Sequence, residues 1–441
     1  MAENIAREGR RASTILKTLS NEDRTEALQL IYDALKANKD EILKANKLDL
    51  EDAEKNNLSN TLVGRLNLAK GDKFDSMVQG VLDVAHLPDP IGKTTLATKI
   101  DDGLELTRVT CPVGVLLVIF ESRPEVIANI ASLALKSGNA AILKGGKEST
   151  HSFKAIASVI NQALSKSKIP ANGIQLVTTR EEINELLSQD KYIDLVIPRG
   201  GNDLVRFVQN NTKIAVLGHA DGICSIYLRA DAKPEMAKRV IVDSKTNYAV
   251  GCNAVETLLV DQAALSDKAA FTAAITGLLE KEVTLKVTPE IRLAIGDELL
   301  SKYPSLIVPA TEQDFYTEFL EFTIAIKAVS NLEDAIVHIN EHGSHHTDCI
   351  ITEDKDVAEK FLKGIDSASV YWNASTRFAD GFRYGFGTEV GISTGKIHVR
   401  GPVGLEGLTT FQYNIRGHGQ IAADYVGAGG SKHFKHESID I

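Results

Sequence analysis

Between residues 113 and 217 short apolar runs alternate with longer amphipathic ones, and that alternation constrains the fold more than any other feature of the chain. Strands are expected over 114–119, 140–143, 174–177, 193–197 and 214–217, with helices over 125–136, 150–164, 182–188 and 202–209 between them. Strands that each return through a helix pair in parallel, and a parallel sheet carries helices on both faces, so the pattern implies a doubly wound α/β domain. After a helix over 234–246 a second series begins. It has strands over 256–260, 323–328, 347–352 and 369–371, with helices over 264–278, 332–341 and 355–362. At 441 residues the chain exceeds one ordinary core, and two α/β domains account for it, one from 1–97 with 112–246 and one from 247–375.

The rest of the chain is of a different character. Up to about residue 84 it is rich in lysine, glutamate and alanine at helical spacing, and Ser20 followed by Asp23 forms a helix-start signal. Residues 98–111 are two alternating runs joined at Asp101, Asp102 and Gly103, which predicts a projecting hairpin. Past 375 the chain turns glycine-rich and returns across 397–399 and 408–413. The hairpin and the segment 396–441 are expected to form a small β element through which copies of the chain associate as a homo-oligomer.

Net charge is −10 and the isoelectric point about 5.6, with no basic run, so a nucleic-acid or anionic-membrane surface is not expected. The longest apolar run, 113–120, falls far short of the ~20 residues of a membrane span. Residues 1–11 resemble neither a secretory signal nor a transit peptide, and a cytoplasmic location is the expectation. Four cysteines, at 111, 224, 252 and 349, show no CxxC spacing, so reduced thiols are expected.

One cysteine stands out by its surroundings. NYAVGCNAVETLLV, 247–260, sets Cys252 between small residues immediately before an apolar strand. Gly251 and Ala254 leave room beside the sulfur, and Asn253 supplies an amide. A thiol so placed is fit to attack a carbonyl carbon once neighbouring donors lower its pKa; the competing reading is a small buried apolar residue. No GxGxxG follows a strand. LKGGKEST, 143–150, and IPRGGNDLV, 197–205, do place lysine, arginine and glycine between a strand and a helix start, where an anion binds; the competing reading is a solvated turn. His342, His345, His346 and Cys349 match no common zinc spacing, so a polar loop rather than a metal is expected there.

Pro112 to Val115, Leu143 with Lys144, Cys252 and Glu318 fall into one register, and four motifs accompany them: VIFESRPEV at 118–126, VGCNAVETLLV at 250–260, YWNASTRFADGFRYGFGTEVGIST at 371–394 and RGPVGLEGLTTFQY at 400–413. The chain resembles the aldehyde dehydrogenase superfamily from about residue 110 to 410, and with these motifs and TLSNEDRTEALQLIYDALKANKDEILKAN near the start the resemblance to one branch of it spans essentially the whole chain. Within the superfamily the resemblance is to the acyl-phosphate reductases of proline biosynthesis. It implies an aldehyde dehydrogenase-like α/β fold with a cofactor-binding domain (1–97, 112–246), a catalytic domain (247–375) and an oligomerisation element. It implies Cys252 as nucleophile, Ser122 and Asn253 beside the oxyanion, and Lys144, Lys147, Ser149, Gly200, Gly201 and Glu318 around the cofactor.

Three departures from the wider superfamily carry chemistry. Gly218 stands where aldehyde-oxidising relatives have the glutamate that activates water, so hydrolysis of a thioester is not served. Ser122 replaces an oxyanion-holding asparagine. Lys147 replaces the ribose-gripping glutamate of NAD-preferring relatives and favours NADPH. The implied reaction is reduction of L-glutamate 5-phosphate to glutamate 5-semialdehyde through a cysteine thioester, with glutamate 5-kinase as the upstream partner. Arg123 and Arg377 are offered for the carboxylate or phosphate of the substrate, or as surface or structural arginines. Two other functions stay open: oxidation of an aldehyde or acyl transfer to coenzyme A, and a binding protein without activity.

Overall fold

The computed structural model describes residues 1–121, 123–177, 181–426 and 429–441. They form two compact units. One comprises Met1–Leu217, Phe386–Gly391 and Val403–Ile441, the other Gly218–Gly385 and Ile392–Pro402.

The first unit holds a five-stranded sheet in the order Ile174–Val177, Ala140–Lys144, Val115–Phe120, Leu195–Arg199, Ala215–Val216. Every pairing in it is parallel, as the alternation of apolar runs implies. The central strand Val115–Phe120 buries all six side chains, which requires cover on both faces. Helix Val126–Lys136 supplies part of it with Ile127, Ile130, Leu133 and Leu135. Each such leucine or isoleucine contributes roughly 1.5–3 kcal/mol by leaving water, so an aspartate at Leu117 would break the sheet. The opening segment packs as helices Ala2–Leu16, Asn21–Ala37, Lys39–Lys55 and Lys73–His86. Asn21–Ala37 starts with the expected reciprocal cap, the Asp23 N–H donating to Ser20 Oγ and the Ser20 N–H to the Asp23 carboxylate. Lys136, 1 % exposed, is tied down by donating to Asn21 Oδ1, Thr25 Oγ1 and the Ala85 carbonyl, each at 2.9 Å.

A second sheet of this unit is antiparallel, in the order Thr409–Arg416, Leu104–Pro112, Thr94–Asp101, Glu437–Ser438. The expected hairpin turns at Asp102 and Gly103, where φ is +69° and a glycine is favoured. The returning strand pairs with the hairpin of its own chain, from Thr409 opposite Pro112 to Arg416 opposite Glu105.

The second unit is built on seven strands, all parallel, in the order Ile307–Pro309, Thr284–Val287, Thr323–Val329, Val255–Asp261, Cys224–Leu228, Thr347–Ile351, Ser369–Trp372. Its core joins Ile226, Leu258, Val260, Leu285 and Ile326 to Ile241 of helix Pro234–Thr246 and Phe271 of helix Ala269–Leu279. Three of these elements have no counterpart in the sequence reading: Cys224–Leu228, Thr284–Val287 and Ile307–Pro309. The helix expected over 264–278 is two helices, Gln262–Ser266 and Ala269–Leu279, with a break at Asp267 and Lys268.

Candidate active site

Three central strands of the second unit, Val255–Asp261, Cys224–Leu228 and Thr347–Ile351, lie side by side and run the same way. The residues that lead into them therefore gather at one edge of the sheet. Cys252 precedes the first strand, Gly222 the second and His346 the third. Gly222 is pressed against the cysteine: a Cβ there would sit 2.1 Å from the Cys252 carbonyl oxygen and 2.5 Å from its Cα. Glycine is the residue that permits this approach. The Cys224 thiol donates to the same carbonyl at 3.3 Å, and burial raises that thiol well above the usual cysteine range. The loop itself is closed by the Gly251 N–H donating to the Tyr248 carbonyl and the Ala254 N–H to the Gly251 carbonyl, with Tyr248 at φ +68°.

His219 and His346 complete the surroundings of the half-buried sulfur. One ring nitrogen of each and Cys252 Sγ all lie within 4.8 Å of one another. The two imidazoles meet edge to face, centroids 4.9 Å apart. His219 Nδ1 lies 3.1 Å from the Ile392 carbonyl oxygen, an acceptor, so Nδ1 carries a proton. His346 is 1 % exposed; its Nδ1 pairs with Thr347 Oγ1 at 2.8 Å and its buried Nε2 has no partner. Burial, with His219 beside it, holds His346 far below the usual histidine range, so it is neutral.

Arg377 sits on the other side of the loop. Its Nη1 is 2.5 Å from where a Gly251 Cβ would be, and its guanidinium carbon is 5.7 Å from the Tyr248 ring centre. Burial and the charge of Arg383 draw its pKa down, and Nε is buried without a partner. Its backbone is anchored because Ser375 Oγ accepts from the Arg377 N–H and Ser244 Oγ from the Thr376 N–H. Asn253, 5 % exposed, donates from Nδ2 to the Ala379 carbonyl at 2.9 Å and so ties this turn to the cysteine loop. Behind the loop a fully buried pair, Lys245 Nζ to Glu256 Oε2 at 2.5 Å, holds helix Pro234–Thr246 on the strand. Burial pushes Glu256 up to about 7 and Lys245 down. Glu318 accepts from the Gly222 N–H at 3.0 Å, and burial raises it.

The first unit contains Lys144, Lys147, Ser149, Gly200, Gly201 and Arg123, while Glu318 belongs to the second. Lys147 is exposed and makes no ion pair among the described residues. It lines a cavity of about 600 Å³ with Asp49, Asp52, Glu148, Thr150 and His151. At the start of helix Thr150–Leu164 two N–H groups already have a carboxylate partner. Asp49 already accepts from the His151 and Ser152 N–H groups at 2.9 and 2.8 Å and from Ser152 Oγ at 2.5 Å. The residues around it still fit a nicotinamide cofactor. Ser149 Oγ is buried without a partner, and a side chain at Gly201 would meet nothing within 4 Å, although the Gly201 N–H already donates to Glu121 Oε2 at 3.1 Å. Arg123 is exposed, and Ser122 lies outside the described residues.

The four residues sketched as metal ligands do not converge. His342 stacks on His338 and Tyr316, His345 bonds the Asp366 carbonyl, and Cys349 is buried within its strand, its thiol pushed up to about 12. His346 alone of the four reaches Cys252. Gly222, Cys224, His219 and His346 were missed as neighbours of the nucleophile, and the signal for them is the parallel order of the three strands they precede.

The aldehyde dehydrogenase family pattern matches residues 1–282. Gamma-glutamyl phosphate reductase of Saccharomyces cerevisiae is 55 % identical across 100 % of this chain and 98 % of its own length. Gamma-glutamyl phosphate reductase 1 of a Synechocystis species is 50 % identical across 98 % of this chain and 96 % of its own. The crystal structure of gamma-glutamyl phosphate reductase from Thermotoga maritima superposes with a TM-score of 0.90 at 37 % identity, covering 95 % of this chain and 99 % of that one. A parallel α/β fold with a cysteine at the strand edge, matched so, defines a class: the chain belongs to the aldehyde dehydrogenase family and is a nicotinamide-dependent oxidoreductase. Within that family its place is among the gamma-glutamyl phosphate reductases, the reductases of proline biosynthesis.

Proposed function

We propose that the chain reduces L-glutamate 5-phosphate to glutamate 5-semialdehyde through a thioester on Cys252, with NADPH as reductant. The single observation that carries the mechanism is the sulfur's setting, with an imidazole held through Nδ1 on one side and a half-buried guanidinium on the other. In its neutral form His219, its Nδ1 proton given to the Ile392 carbonyl, takes the Sγ proton on Nε2 as sulfur attacks the acyl carbon. The C–O bond to phosphate breaks, and His219 returns that proton to the departing group, which leaves as hydrogen phosphate. Arg377 receives the anionic substrate: its unpartnered Nε and buried charge favour a carboxylate or phosphate oxygen over water. Gly218 offers no carboxylate to activate water, so the thioester waits for reduction. Lys144, Lys147, Ser149, Gly200 and Gly201 would hold the cofactor, whose reduced nicotinamide supplies the hydride when bound. Aldehyde is released as Cys252 leaves as thiolate.

Lys147 supports NADPH over NADH, because an exposed ammonium pairs more strongly with a 2′-phosphate than with an uncharged ribose diol. Homo-oligomers are part of the same reading, since strand Thr409–Arg416 exposes Phe411, Tyr413 and Ile415. So are a cytoplasmic location and delivery of the labile acyl phosphate by glutamate 5-kinase. The test is oxidation of NADPH with acyl phosphate generated by that kinase from glutamate and ATP. The reverse reaction is then run with and without inorganic phosphate. Semialdehyde oxidation that requires phosphate, or arsenate in its place, is expected. Full turnover in a phosphate-free buffer would assign the chain to aldehyde oxidation.

A further inference from the structure

We infer that Cys252, His219 and His346 form a zinc-binding site through which Zn²⁺ reversibly inhibits the enzyme. One thiolate and two neutral imidazoles are a donor set that zinc prefers, and three protein ligands with a fourth position left to solvent is a common zinc arrangement. Each imidazole is prepared for the role. His219 donates from Nδ1 to a backbone carbonyl, and His346 pairs Nδ1 with the Thr347 hydroxyl. These are the outer contacts that aim the remaining nitrogen of a zinc-bound histidine. His346 Nε2 is the independent sign that the place takes a ligand, because it is a buried nitrogen with no partner, on a ring 1 % exposed. Neither Thr347 nor any other described group satisfies that nitrogen, which ordinarily is a costly omission.

The spacing is close to what a metal needs. Bond lengths of about 2.0–2.1 Å to nitrogen and 2.3 Å to sulfur put tetrahedral donors roughly 3.3–3.6 Å apart, whereas these lie within 4.8 Å. Rotation of Cys252 about Cα–Cβ, on the half-buried side of the site, supplies the contraction of about 1 Å. The thiol proton passes to solvent as the zinc–sulfur bond forms, so binding tightens with rising pH. The bound sulfur no longer attacks an acyl carbon, and the metal occupies the space over the nucleophile.

The experiment titrates the full-length protein with zinc chloride and reads turnover and bound metal together. One zinc per chain, loss of at least nine-tenths of the activity and recovery on adding EDTA are expected. His346→Asn keeps a group for Thr347 and deletes Nε2. The half-inhibiting zinc concentration, read on whatever turnover the variant retains, should rise at least tenfold. Unchanged zinc sensitivity in that variant would overturn the site. Cobalt(II) gives a readout that needs no variant. A thiolate-to-cobalt charge-transfer band should appear in the parent and disappear after Cys252 is alkylated, and uptake indifferent to alkylation would also overturn the proposal.

Discussion

Replacing Gly222 by alanine tests whether the edge shared by three parallel strands is what positions the nucleophile. The added Cβ would lie 2.1 Å from the Cys252 carbonyl oxygen, and ordinary contact begins at 3.4 Å, so the cysteine backbone retreats by about 1.3 Å. A misplacement of about 1 Å at a reacting group costs on the order of a hundredfold in rate, or about 2.7 kcal/mol in the barrier. The same crowding costs stability about 1–3 kcal/mol. Gly222→Ala should therefore fold, bind cofactor and lose about a hundredfold in kcat/KM for NADPH oxidation with the acyl phosphate. Alkylation of Cys252 should slow with it, because the sulfur moves away from His219. Gly64 is the control: it lies in helix Asn60–Leu66 with only the tip of Lys70 within 4 Å of an added Cβ. Gly64→Ala should leave activity unchanged and stabilise by a few tenths to about 1 kcal/mol. A Gly222→Ala protein with kcat/KM within twofold of the parent would refute the geometry on which the nucleophile's placement rests.

Lys245→Met strands Glu256 in the core and should lower stability by about 3–5 kcal/mol in urea unfolding, whereas Lys245→Met with Glu256→Leu should recover most of it; a loss under 1 kcal/mol for the single variant would mean the pair is not buried. Asp348, buried with Ser225 and Ser367 as partners, is pushed up to about 7 from the usual 3.8, chiefly by burial. The folded state thus holds a proton that the unfolded state has lost, and stability declines as pH rises from about 4 to 7. Asp348→Asn should flatten that decline, and an unchanged slope would contradict the assignment. Lys147→Glu should weaken or reverse a preference for NADPH over NADH of roughly ten- to a hundredfold, on the scale of one charge-assisted hydrogen bond; equal efficiency of the parent with both cofactors would remove the basis for the change.

What the sequence discloses here follows from how local each cause is. Strands such as Val115–Phe120 are legible because six consecutive apolar residues have few other fates, and the hairpin is legible from its turn residues. Thr284–Val287 and Ile307–Pro309 are short runs at the edge of the sheet, with too little periodicity to detect. Cys252 is legible because the residues that mark it, Gly251 and Ala254, are its neighbours in the chain. Its partners are not. Gly222, His219 and His346 come to it only through the lateral order of strands, which no stretch of sequence encodes by itself. The turn at 143–150 likewise has a partner that is not local. Lysine, glycine and a helix start suggest an anion site, but the carboxylate that occupies the helix N–H groups arrives from Asp49, about a hundred residues earlier.

The antiparallel sheet of the first unit has a consequence for how the chain is made. The outer edges of the hairpin Thr94–Pro112 are met by residues synthesised much later, one along its length by Thr409–Arg416 and the other only at Thr98 and Lys99 by Glu437–Ser438. During synthesis the hairpin therefore waits with two open rows of N–H and C=O groups while the whole of Gly218–Gly385 emerges and folds. An open edge recruits whatever strand is nearest, including the hairpin of another nascent chain. Charges stand on those edges in the meantime, Lys99 and Asp101 on one strand and Glu105 and Arg108 on the other. They make the waiting ribbon a poor template for strangers until its own tail comes to close it.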